Sequence, residues 1–338
     1  MTLRRGDISS MLEMLPPFAI RVAATLRLSD HLGDGARSAG ELALATGADA
    51  DALGRLLRYL CSLGLYREAT PDRFALTPAG RMLTGRSAGD LRQWLDLDGA
   101  GGRMDLALAG LLHAVRTGGA GYPAVFDRPF WDDLAADPAR AASFDELMAA
   151  KSARVVPDLA ALDWAGARHV VDVGGGVGRT LGALLEAHPH LRGTLLDRPP
   201  VAEQARRRLA EAGLADRCDV VGGSFLSGVP AGGDAYLLFD ILHNWDDETA
   251  REILGRCAAA AGPAGRVLVV EEVPADDDRT GRAMDLKMLV LFGGRQRTEA
   301  GFAALAAKAG LGAPTVRRLP CGFSVVETAG TQRSGGPA

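Results

Sequence analysis

The 338-residue sequence has only four cysteines, and they lie far apart. Cys61, Cys218, Cys257 and Cys321 form no CxxC or CxxH pair, so the chain offers neither a zinc-binding motif nor a disulfide framework. We therefore expect free thiols in a reducing, cytoplasmic compartment and no metal site.

Long apolar runs and an excess of positive charge are also missing. No apolar run approaches the roughly 18–20 residues of a membrane span, and residues 1–7 lack the apolar core of a signal peptide. The net charge of −4 provides no broad basic surface for nucleic acid or anionic lipid. We expect no nucleic-acid and no membrane partner. The hydrophobic content of 47% suits two domains, each with its own core.

The first 95 residues predict a mostly helical winged-helix domain. Apolar residues recur at helical spacing over residues 11–28. Residues 41–60 read as helix–turn–helix, with Asp49 or Asp51 as the N-cap of the second helix. Two short β-prone segments flank a Thr-Pro-Asp turn at residues 70–72 and predict a hairpin. Residues 96–160 are predicted to form a helical connector that lines a substrate pocket.

Strand and helix patterns alternate from about residue 165. This alternation predicts an α/β, Rossmann-like domain over residues 161–330, with a parallel sheet. The predicted strands are His169–Val173, Thr194–Asp197, Cys218–Val221, Ala235–Phe239 and Arg266–Glu271, followed by an antiparallel edge pair, Thr315–Leu319 and Phe323–Glu327. The tail, residues 331–338, is predicted to be disordered.

A glycine-rich turn follows the first of these strands and indicates the ligand. Glycines stand at 174, 176 and 178, directly after a β-branched run that contains Asp172. A dinucleotide fingerprint, G-x-G-x-x-G, would need glycine at 179, where Arg179 stands. The pattern D-x-G-x-G-x-G is instead typical of enzymes that bind S-adenosylmethionine (SAM), and it disfavours a nicotinamide-dependent dehydrogenase.

The ends of the next strands carry further candidate residues. Asp197 ends the second strand, where a carboxylate can accept hydrogen bonds from ribose hydroxyls. Ser224 and Phe225 follow the third strand and could contact the adenine. His243 follows the fourth strand, at the carboxyl end of the sheet where ligands bind. The same residues could also have a purely structural role, in which they cap helices and pack turns. A structural role and a ligand-binding role are compatible.

These motifs resemble those of the SAM-dependent O-methyltransferases of plant phenolic and bacterial natural-product pathways. The resemblance covers nearly the whole chain and rests on residues 172–178, 196–199, 223–225, 243–247 and 293–298. It implies that the winged-helix domain forms a homodimer, that His243 is the general base, and that the acceptor is a phenolic hydroxyl. The SAM contacts that it implies are Gly174, Gly176, Asp197, Ser224, Phe225, Phe239, Ser152, Met148 and Phe144. The acceptor, expected to be an aromatic polyketide-type intermediate, would contact Trp131, Asn244, Met284, Asp285, Met288 and Phe292.

Two departures from the plant pattern bear on the chemistry. Ser224 stands where plant members usually carry Asp. Two acidic residues flank the catalytic histidine in plant members; one matches Glu327, and the other falls on Gln296, which carries no charge. We therefore expect His243 to be a weaker base or to depend on Glu327 alone.

Three other functions stay open at this point. A SAM-binding relative could hydroxylate, decarboxylate or rearrange its substrate without methyl transfer, and an amine could replace the hydroxyl as acceptor. A SAM-sensing transcription regulator is disfavoured, because the predicted recognition helix over residues 51–63 is mostly apolar and has Asp49 and Asp51 at its start, where phosphate contacts would be needed.

Overall fold

The computed structural model describes residues 12–85, 91–275 and 278–329. These residues divide into two compact units. The first contains the described residues up to Leu106 together with Leu134–Ala150, and the second contains Ala107–Asp133 together with the described residues from Lys151 onward. The predicted connector over residues 96–160 is divided between these two units, and its role in lining a substrate pocket stays a prediction. The predicted disordered tail lies outside the described residues.

The helices and strands have the following bounds. The helices are α1 (Leu15–Thr25), α2 (Leu28–His31), α3 (Ala39–Thr46), α4 (Ala50–Ser62), α5 (Pro78–Arg81), α6 (Leu91–Leu95), α7 (Ala100–Leu106), α8 (Leu111–Thr117), α9 (Tyr122–Phe126), α10 (Phe130–Ala135), α11 (Pro138–Ala160), α12 (Arg179–Ala187), α13 (Pro199–Glu211), α14 (Asp247–Ala261), α15 (Arg279–Phe292) and α16 (Glu299–Lys308). Short 3₁₀ turns lie at Ala107–Gly110 and Leu242–Asn244. The strands are β1 (Arg37–Ser38), β2 (Tyr66–Thr70), β3 (Arg73–Leu76), β4 (His169–Val173), β5 (Arg192–Asp197), β6 (Cys218–Gly222), β7 (Ala235–Phe239), β8 (Arg266–Glu271), β9 (Thr315–Arg318) and β10 (Ser324–Ala329).

The first unit contains the predicted helix–turn–helix and hairpin. Helix α4 begins after Asp49, whose side chain accepts a hydrogen bond of 2.9 Å from the main-chain N–H of Ala52. Strands β2 and β3 form the hairpin, and the short strand β1, which the sequence did not predict, adds to its edge in the order β1-β3-β2. Leu57 and Phe74 lie fully buried in the core of this unit.

The second unit is built on a seven-stranded sheet in the order β6-β5-β4-β7-β8-β10-β9. The first five strands in this order pair in parallel, and β10 and β9 add the predicted antiparallel edge. Alternate residues face opposite sides, so Val170 and Leu195 enter one apolar core while Val171 and Leu196 enter the other. The predicted α/β fold with an antiparallel edge is confirmed, and each predicted strand lies within two residues of its observed ends.

The order of the strands places a ligand site beside β4. The chain winds from β4 to β5 on one side and reaches β7 on the other, and ligands of open α/β sheets bind at such a switch point, outside the carboxyl ends of the strands. The glycine turn, Asp197, His243 and Glu271 all stand at this edge of the sheet. Within the described residues, no helix combines the length and apolar character needed to cross a membrane.

Candidate active site

Gly174 begins the turn at the end of β4, and the backbone conformation at this position requires glycine. Its φ of +74° lies in the left-handed region, and a Cβ built there would lie 2.5 Å from Cδ1 of Ile241 and 3.4 Å from the ring of Phe225. Its N–H donates a hydrogen bond of 2.8 Å to the carbonyl oxygen of Leu196 on β5. The turn therefore joins the ends of β4 and β5 and lies against residues from the two neighbouring loops.

Two carboxyl groups, one buried and one half-buried, lie close to this turn. Asp172 is buried, and neither of its carboxyl oxygens has a hydrogen-bond partner among the described residues. Burial, and secondarily the charge of Asp197, raise the pKa of Asp172 to about 7. Asp197 accepts hydrogen bonds from the main-chain N–H groups of Gly176 (2.8 Å) and Arg198 (2.7 Å). Burial raises the pKa of Asp197, and these two hydrogen bonds oppose that effect.

This arrangement fits SAM. SAM carries an ammonium group, a sulfonium group and ribose hydroxyls, and it has no phosphate. The unpartnered oxygens of Asp172 can accept hydrogen bonds from a cationic group, and the carboxylate of Asp197 keeps lone pairs for hydroxyl donors. The glycine turn leaves main chain, rather than side chains, at this edge.

The other predicted SAM contacts lie on one loop, at the end of one strand and on one helix. Phe225 packs edge-on against Trp245, with ring centroids 5.9 Å apart, and Phe239 ends β7. Ser224 is exposed, and its Oγ accepts a hydrogen bond of 3.2 Å from the N–H of Leu226. These three predicted contacts lie at the carboxyl edge of the sheet.

The remaining predicted contacts lie on α11. Ser152 is buried, and its Oγ accepts a hydrogen bond of 3.2 Å from Oγ1 of Thr180, in the first turn of α12 after the glycine turn. Met148 and Phe144 precede Ser152 by four and eight residues on α11, but they belong to the first unit. Their contact with SAM stays a prediction.

His243 lies on the 3₁₀ turn that follows β7, and it is buried. Burial lowers the pKa of its imidazole to about 4. The charge of Asp240 opposes this effect, whereas Lys151 and Arg297 add to it. Lys151 forms an ion pair with Asp240, with Nζ 2.7 Å from Oδ2. The imidazole is therefore neutral, with a free lone pair, at physiological pH.

Gln296 lies beside this imidazole, as predicted from the sequence. Its main-chain N–H donates a hydrogen bond of 2.9 Å to Asp285, and its Nε2 donates to the carbonyl oxygen of Glu272. Its Oε1 is buried and has no hydrogen-bond partner of good geometry among the described residues. The amide favours the protonated imidazole of His243 and so opposes the larger effect of burial on its pKa.

The prediction that Glu327 flanks His243 is wrong. Glu327 pairs with Leu268 in the antiparallel register of β10 against β8, and its carboxylate lies 3.9 Å from the guanidinium of Arg266, the first residue of β8. His243 follows the carboxyl end of β7, which runs parallel to β8. Because β10 runs in the opposite direction, Glu327 lies toward the amino end of β8, away from the site.

Glu271, the last residue of β8, lies at the place that the sequence analysis gave to Glu327. It is fully buried, and its Oε1 accepts a hydrogen bond of 3.0 Å from the main-chain N–H of His243. Burial, and secondarily the charge of Asp240, raise the pKa of Glu271 to about 7. An acidic residue at the end of a predicted parallel strand was a signal for this position, by the same argument that identified Asp197.

The role of Arg297 was not predicted from the sequence either, although residues 293–298 were part of the motif that indicated the family. Its side chain is buried and donates hydrogen bonds to three carbonyl oxygens, those of Leu242 (2.8 Å), Trp245 (2.9 Å) and Arg295 (3.2 Å). It also donates to Oδ1 of Asp247 at 3.0 and 3.1 Å. Nothing in the local sequence pattern indicates such long-range hydrogen bonds.

The predicted acceptor residues comprise two aromatic residues of a ring cluster, two methionines and a polar pair. Trp131 and Phe292 stack with centroids 5.4 Å apart, and Phe130 meets both rings edge-on at 5.0 Å. The guanidinium of Arg198, next to Asp197, lies over the ring of Trp131 at 5.3 Å. This contact joins the end of β5, which carries Asp197, to the aromatic cluster.

The other four predicted acceptor residues lie on the 3₁₀ turn that carries His243 and on α15. Met288 is buried, and Met284 is half-buried. Asn244 and Asp285 bind main-chain groups: Nδ2 of Asn244 donates to the carbonyl oxygen of Asp240 at 3.0 Å, and Asp285 accepts from Gln296. Their contact with the acceptor stays a prediction.

Comparison with known proteins decides the family. A family model described as an O-methyltransferase domain matches residues 108–312, and a model described as an O-methyltransferase dimerisation domain matches residues 9–86. The chain belongs to the O-methyltransferase family. The family predicted from the sequence motifs is thereby confirmed.

Two relatives and one solved structure illustrate the range of the family. The chain is 47% identical to 2,7-dihydroxy-5-methyl-1-naphthoate 7-O-methyltransferase of Streptomyces carzinostaticus, over 90% of this chain and 92% of that protein. It is 42% identical to aclacinomycin 10-hydroxylase RdmB of Streptomyces purpurascens, over 96% and 90%. The crystal structure of the O-methyltransferase NcsB1 from neocarzinostatin biosynthesis, in complex with SAM and 2-hydroxy-5-methyl naphthoic acid, superimposes with a TM-score of 0.90 at 44% identity and covers 98% of this chain and 99% of that one.

These similarities confirm the predicted enzyme class and cofactor. The O-methyltransferase described here is SAM-dependent, and S-adenosylhomocysteine is its product. Among the described residues, no group of three or more His, Cys, Asp or Glu side chains is arranged to hold a metal ion.

Proposed function

We propose that this O-methyltransferase methylates a phenolic hydroxyl of an aromatic natural-product intermediate of the naphthoate or polyketide type, with His243 as the general base. One observation carries the proposal. A buried, neutral imidazole lies at the carboxyl edge of the sheet, in the same row of loops as the glycine turn and Asp197. The similarity to a naphthoate 7-O-methyltransferase supports the class of acceptor.

The residues that would hold SAM are those of the glycine turn together with Asp172 and Asp197. SAM supplies a methyl group on a positively charged sulfur, activated for transfer to an oxygen nucleophile. The carboxyl group of Asp172 is fully buried, so a cation bound beside it is attracted more strongly than it would be in water. Such a cation would also favour the charged form of Asp172, whose pKa burial has raised.

His243 would remove the acceptor's proton. A phenol with a pKa of about 10 is protonated at neutral pH, and the attacking oxygen must lose that proton. The imidazole is already neutral, so it can accept the proton without a prior deprotonation. General-base assistance of this kind typically contributes about 10²–10⁴-fold to the rate. Positioning of the two substrates would supply the larger part of the rate enhancement.

The aromatic cluster of Trp131, Phe130 and Phe292 would form an apolar wall for the acceptor rings. Rings arranged in this way bind flat aromatic molecules, because they bury apolar surface and make stacked or edge-to-face contacts. Met284 and Met288 would extend this wall, because flexible thioethers adapt to the shape of a ligand.

The first unit would form a homodimer. The match to a dimerisation-domain model supports this proposal. Large apolar side chains stand exposed at the start of its described part, at Leu12, Met14, Leu15 and Phe18. Burial of these side chains against a second copy would remove a contiguous apolar surface from water.

A second candidate function is hydroxylation, favoured by the similarity to an aclacinomycin 10-hydroxylase. Mass spectrometry separates the two candidates. The purified enzyme is incubated with methyl-labelled SAM and a panel of hydroxynaphthoates, hydroxybenzoates and anthracyclines. A product that carries the labelled methyl group supports methyl transfer, whereas a product that gains one oxygen atom and no label would replace our proposal with hydroxylation.

A further inference from the structure

An ion pair joins α11 to the start of the turn that carries His243. Nζ of Lys151, on α11, lies 2.7 Å from Oδ2 of Asp240, which directly follows β7. The side chain of Asp240 is 9% exposed and that of Lys151 is 20% exposed. Neither carboxylate oxygen of Asp240 has another hydrogen-bond partner among the described residues. The pair is thus largely removed from water, so each charge depends on the other for its stabilisation.

The main chain of Asp240 also fixes this turn. Its φ of +54° lies in the left-handed region, which aspartate and asparagine adopt more readily than most residues with a side chain. Its N–H donates a hydrogen bond of 3.0 Å to the carbonyl oxygen of Val270, on β8. Its own carbonyl oxygen accepts one of 3.0 Å from Nδ2 of Asn244, the residue after His243. The turn around His243 is therefore closed on Asp240, and the side chain of Asp240 ties it to α11.

Lys151 is itself held in place. Its ammonium group lies over the ring of Phe323, 5.6 Å from the centroid. The next residue on α11, Ser152, accepts a hydrogen bond of 3.2 Å from Thr180, in the first turn of the helix after the glycine turn. Two consecutive residues of α11 thus contact the two loops that flank the cofactor side of the sheet. The ion pair holds the turn of His243 in register with the glycine turn.

The charged side chains around this turn are otherwise matched with partners. They come from every element packed against it: Asp240 after β7, Glu271 at the end of β8, Lys151 on α11, Arg297 before α16, Asp247 at the start of α14 and Asp285 on α15. Arg297 binds Asp247, and Glu271 and Asp285 accept hydrogen bonds from the main-chain N–H groups of His243 and Gln296. Loss of Lys151 alone would leave Asp240 as a buried negative charge without a partner, three residues from His243.

We propose that Lys151 and Asp240 are positioning residues for methyl transfer, and that their ion pair fixes the turn on which His243 acts as the base. The inference rests on the proposed function, which gives His243 that role. A contribution to the stability of the fold alone would lower the amount of folded enzyme. Positioning instead lowers the rate of each folded molecule, even when both substrates are saturating.

The kinetics of two conservative variants test the inference. Lys151→Met keeps the apolar chain and removes the charge, and Asp240→Asn keeps the shape and the tolerance for a left-handed backbone. We expect kcat to fall by about tenfold or more in each variant, while the dissociation constant of S-adenosylhomocysteine changes by less than about threefold. Lys308→Met, at the exposed end of α16, is the matched control and should keep the wild-type kcat. Wild-type kcat in both Lys151→Met and Asp240→Asn would overturn the inference.

Two further variants show whether the ion pair itself is responsible. Lys151→Arg keeps the charge and should retain at least about a third of the wild-type kcat. The double variant Lys151→Met/Asp240→Asn leaves no buried charge unpaired, so its kcat should be no lower than that of the slower single variant. A double variant whose loss equals the product of the two single losses would show independent defects and would contradict the pairing.

Titration of His243 by NMR is independent of turnover. The enzyme is labelled with ¹³C-histidine, and His243→Gln assigns the signal. Burial chiefly lowers the pKa of His243, Asp240 opposes this effect and Lys151 adds to it. The pKa should therefore rise by about one pH unit in Lys151→Met, fall in Asp240→Asn, and return toward the wild-type value in the double variant. A role in stability alone moves none of these values.

The titration also separates the inference from the proposed function. An unchanged titration of His243 in Lys151→Met would overturn the inference, whether or not His243 is the base. A wild-type rate in His243→Ala would overturn the proposed function, even where the titration shifts as expected. Where Lys151→Met does not fold, Asp240→Asn and Lys151→Arg supply the same comparison.

Discussion

Arg297 holds the main chain on both sides of His243. Its buried guanidinium donates to the carbonyl oxygens of Leu242 and Trp245 at 2.8 and 2.9 Å. The main-chain N–H of Arg295 donates to the carbonyl oxygen of His243 itself at 2.9 Å. A Cβ at Gly294 would lie 2.2 Å from that same oxygen, so the loop before Arg297 fits closely against the turn that carries His243. The position of the imidazole thus depends on a segment some fifty residues away in the chain.

We predict that Arg297→Lys separates catalysis from binding. Lysine keeps the charge, but its single ammonium group cannot donate to carbonyl oxygens on both sides of the turn. We expect kcat to fall by about tenfold or more while the KM for the acceptor changes by less than about threefold, because each unpaired buried carbonyl costs roughly 1–3 kcal/mol and frees the turn. Arg318→Lys, at an exposed ion pair with Glu299, is the matched control and should keep wild-type kinetics. Equal losses in the two variants would contradict a positioning role for Arg297.

Gly174→Ala should weaken both folding and SAM binding. The left-handed backbone costs a residue with a Cβ about 1–2 kcal/mol, and contact of that Cβ with Ile241 at 2.5 Å adds to this cost. Gly213→Ala is the control, because its φ is +72° but no atom lies within 4 Å of the added Cβ. Urea unfolding and titration with S-adenosylhomocysteine measure the two effects. The account would be wrong at this position if both variants lost the same stability and bound the ligand equally well.

Asp172 should make stability depend on pH in a defined window. Its pKa is raised from 3.8 to about 7 on folding, so the folded state binds the proton more tightly than the unfolded state. The stability that the protonated form contributes is therefore present at low pH and is lost as the pH rises from about 4 to about 7, at up to about 1.4 kcal/mol per pH unit. Asp172→Asn removes this titration. The stability of Asp172→Asn relative to wild type should increase between pH 5 and pH 8 in urea unfolding, and a constant difference would contradict the shifted pKa.

The proposed homodimer predicts a charge-sensitive surface on the first unit. Leu15 is 62% exposed at the start of α1, and Leu15→Asp would place a charge in the proposed interface. We expect sedimentation velocity to give a dimer for the wild-type enzyme and a monomer for this variant. Val221→Asp changes an exposed side chain on the edge strand β6 and should leave the dimer intact. A wild-type monomer would remove the basis of the proposal.

The strands of the sheet could be predicted from the sequence because the patterns that indicate them involve residues close together in the chain. Buried parallel strands read as short β-branched runs, and the glycine turn and Asp197 stand at fixed positions relative to those runs. The same reasoning placed His243 at the carboxyl edge of the sheet. It did not indicate that residues 96–160 divide between two compact units, because that division depends on packing partners that are distant in the chain.

The errors at the site have a common physical cause. The resemblance matched Glu327 to a family acid by its motif alone, without the register of its strand, and the antiparallel register of β10 moves Glu327 toward the amino end of β8. Glu271 occupies the carboxyl end of β8 instead. Arg297 acts through hydrogen bonds to carbonyl oxygens, which every residue possesses, so no sequence pattern could identify its partners.

The single-turnover rate of His243→Ala tests the central claim most directly. The variant is saturated with SAM and with an accepted phenol, so that weakened binding cannot account for a lower rate. We predict a rate at least a hundredfold below that of the wild-type enzyme, within the range expected for the loss of a general base, while the affinity for S-adenosylhomocysteine stays nearly unchanged. A wild-type rate in this variant, or a loss of cofactor affinity as large as the loss of rate, would contradict the assignment of His243 as the base.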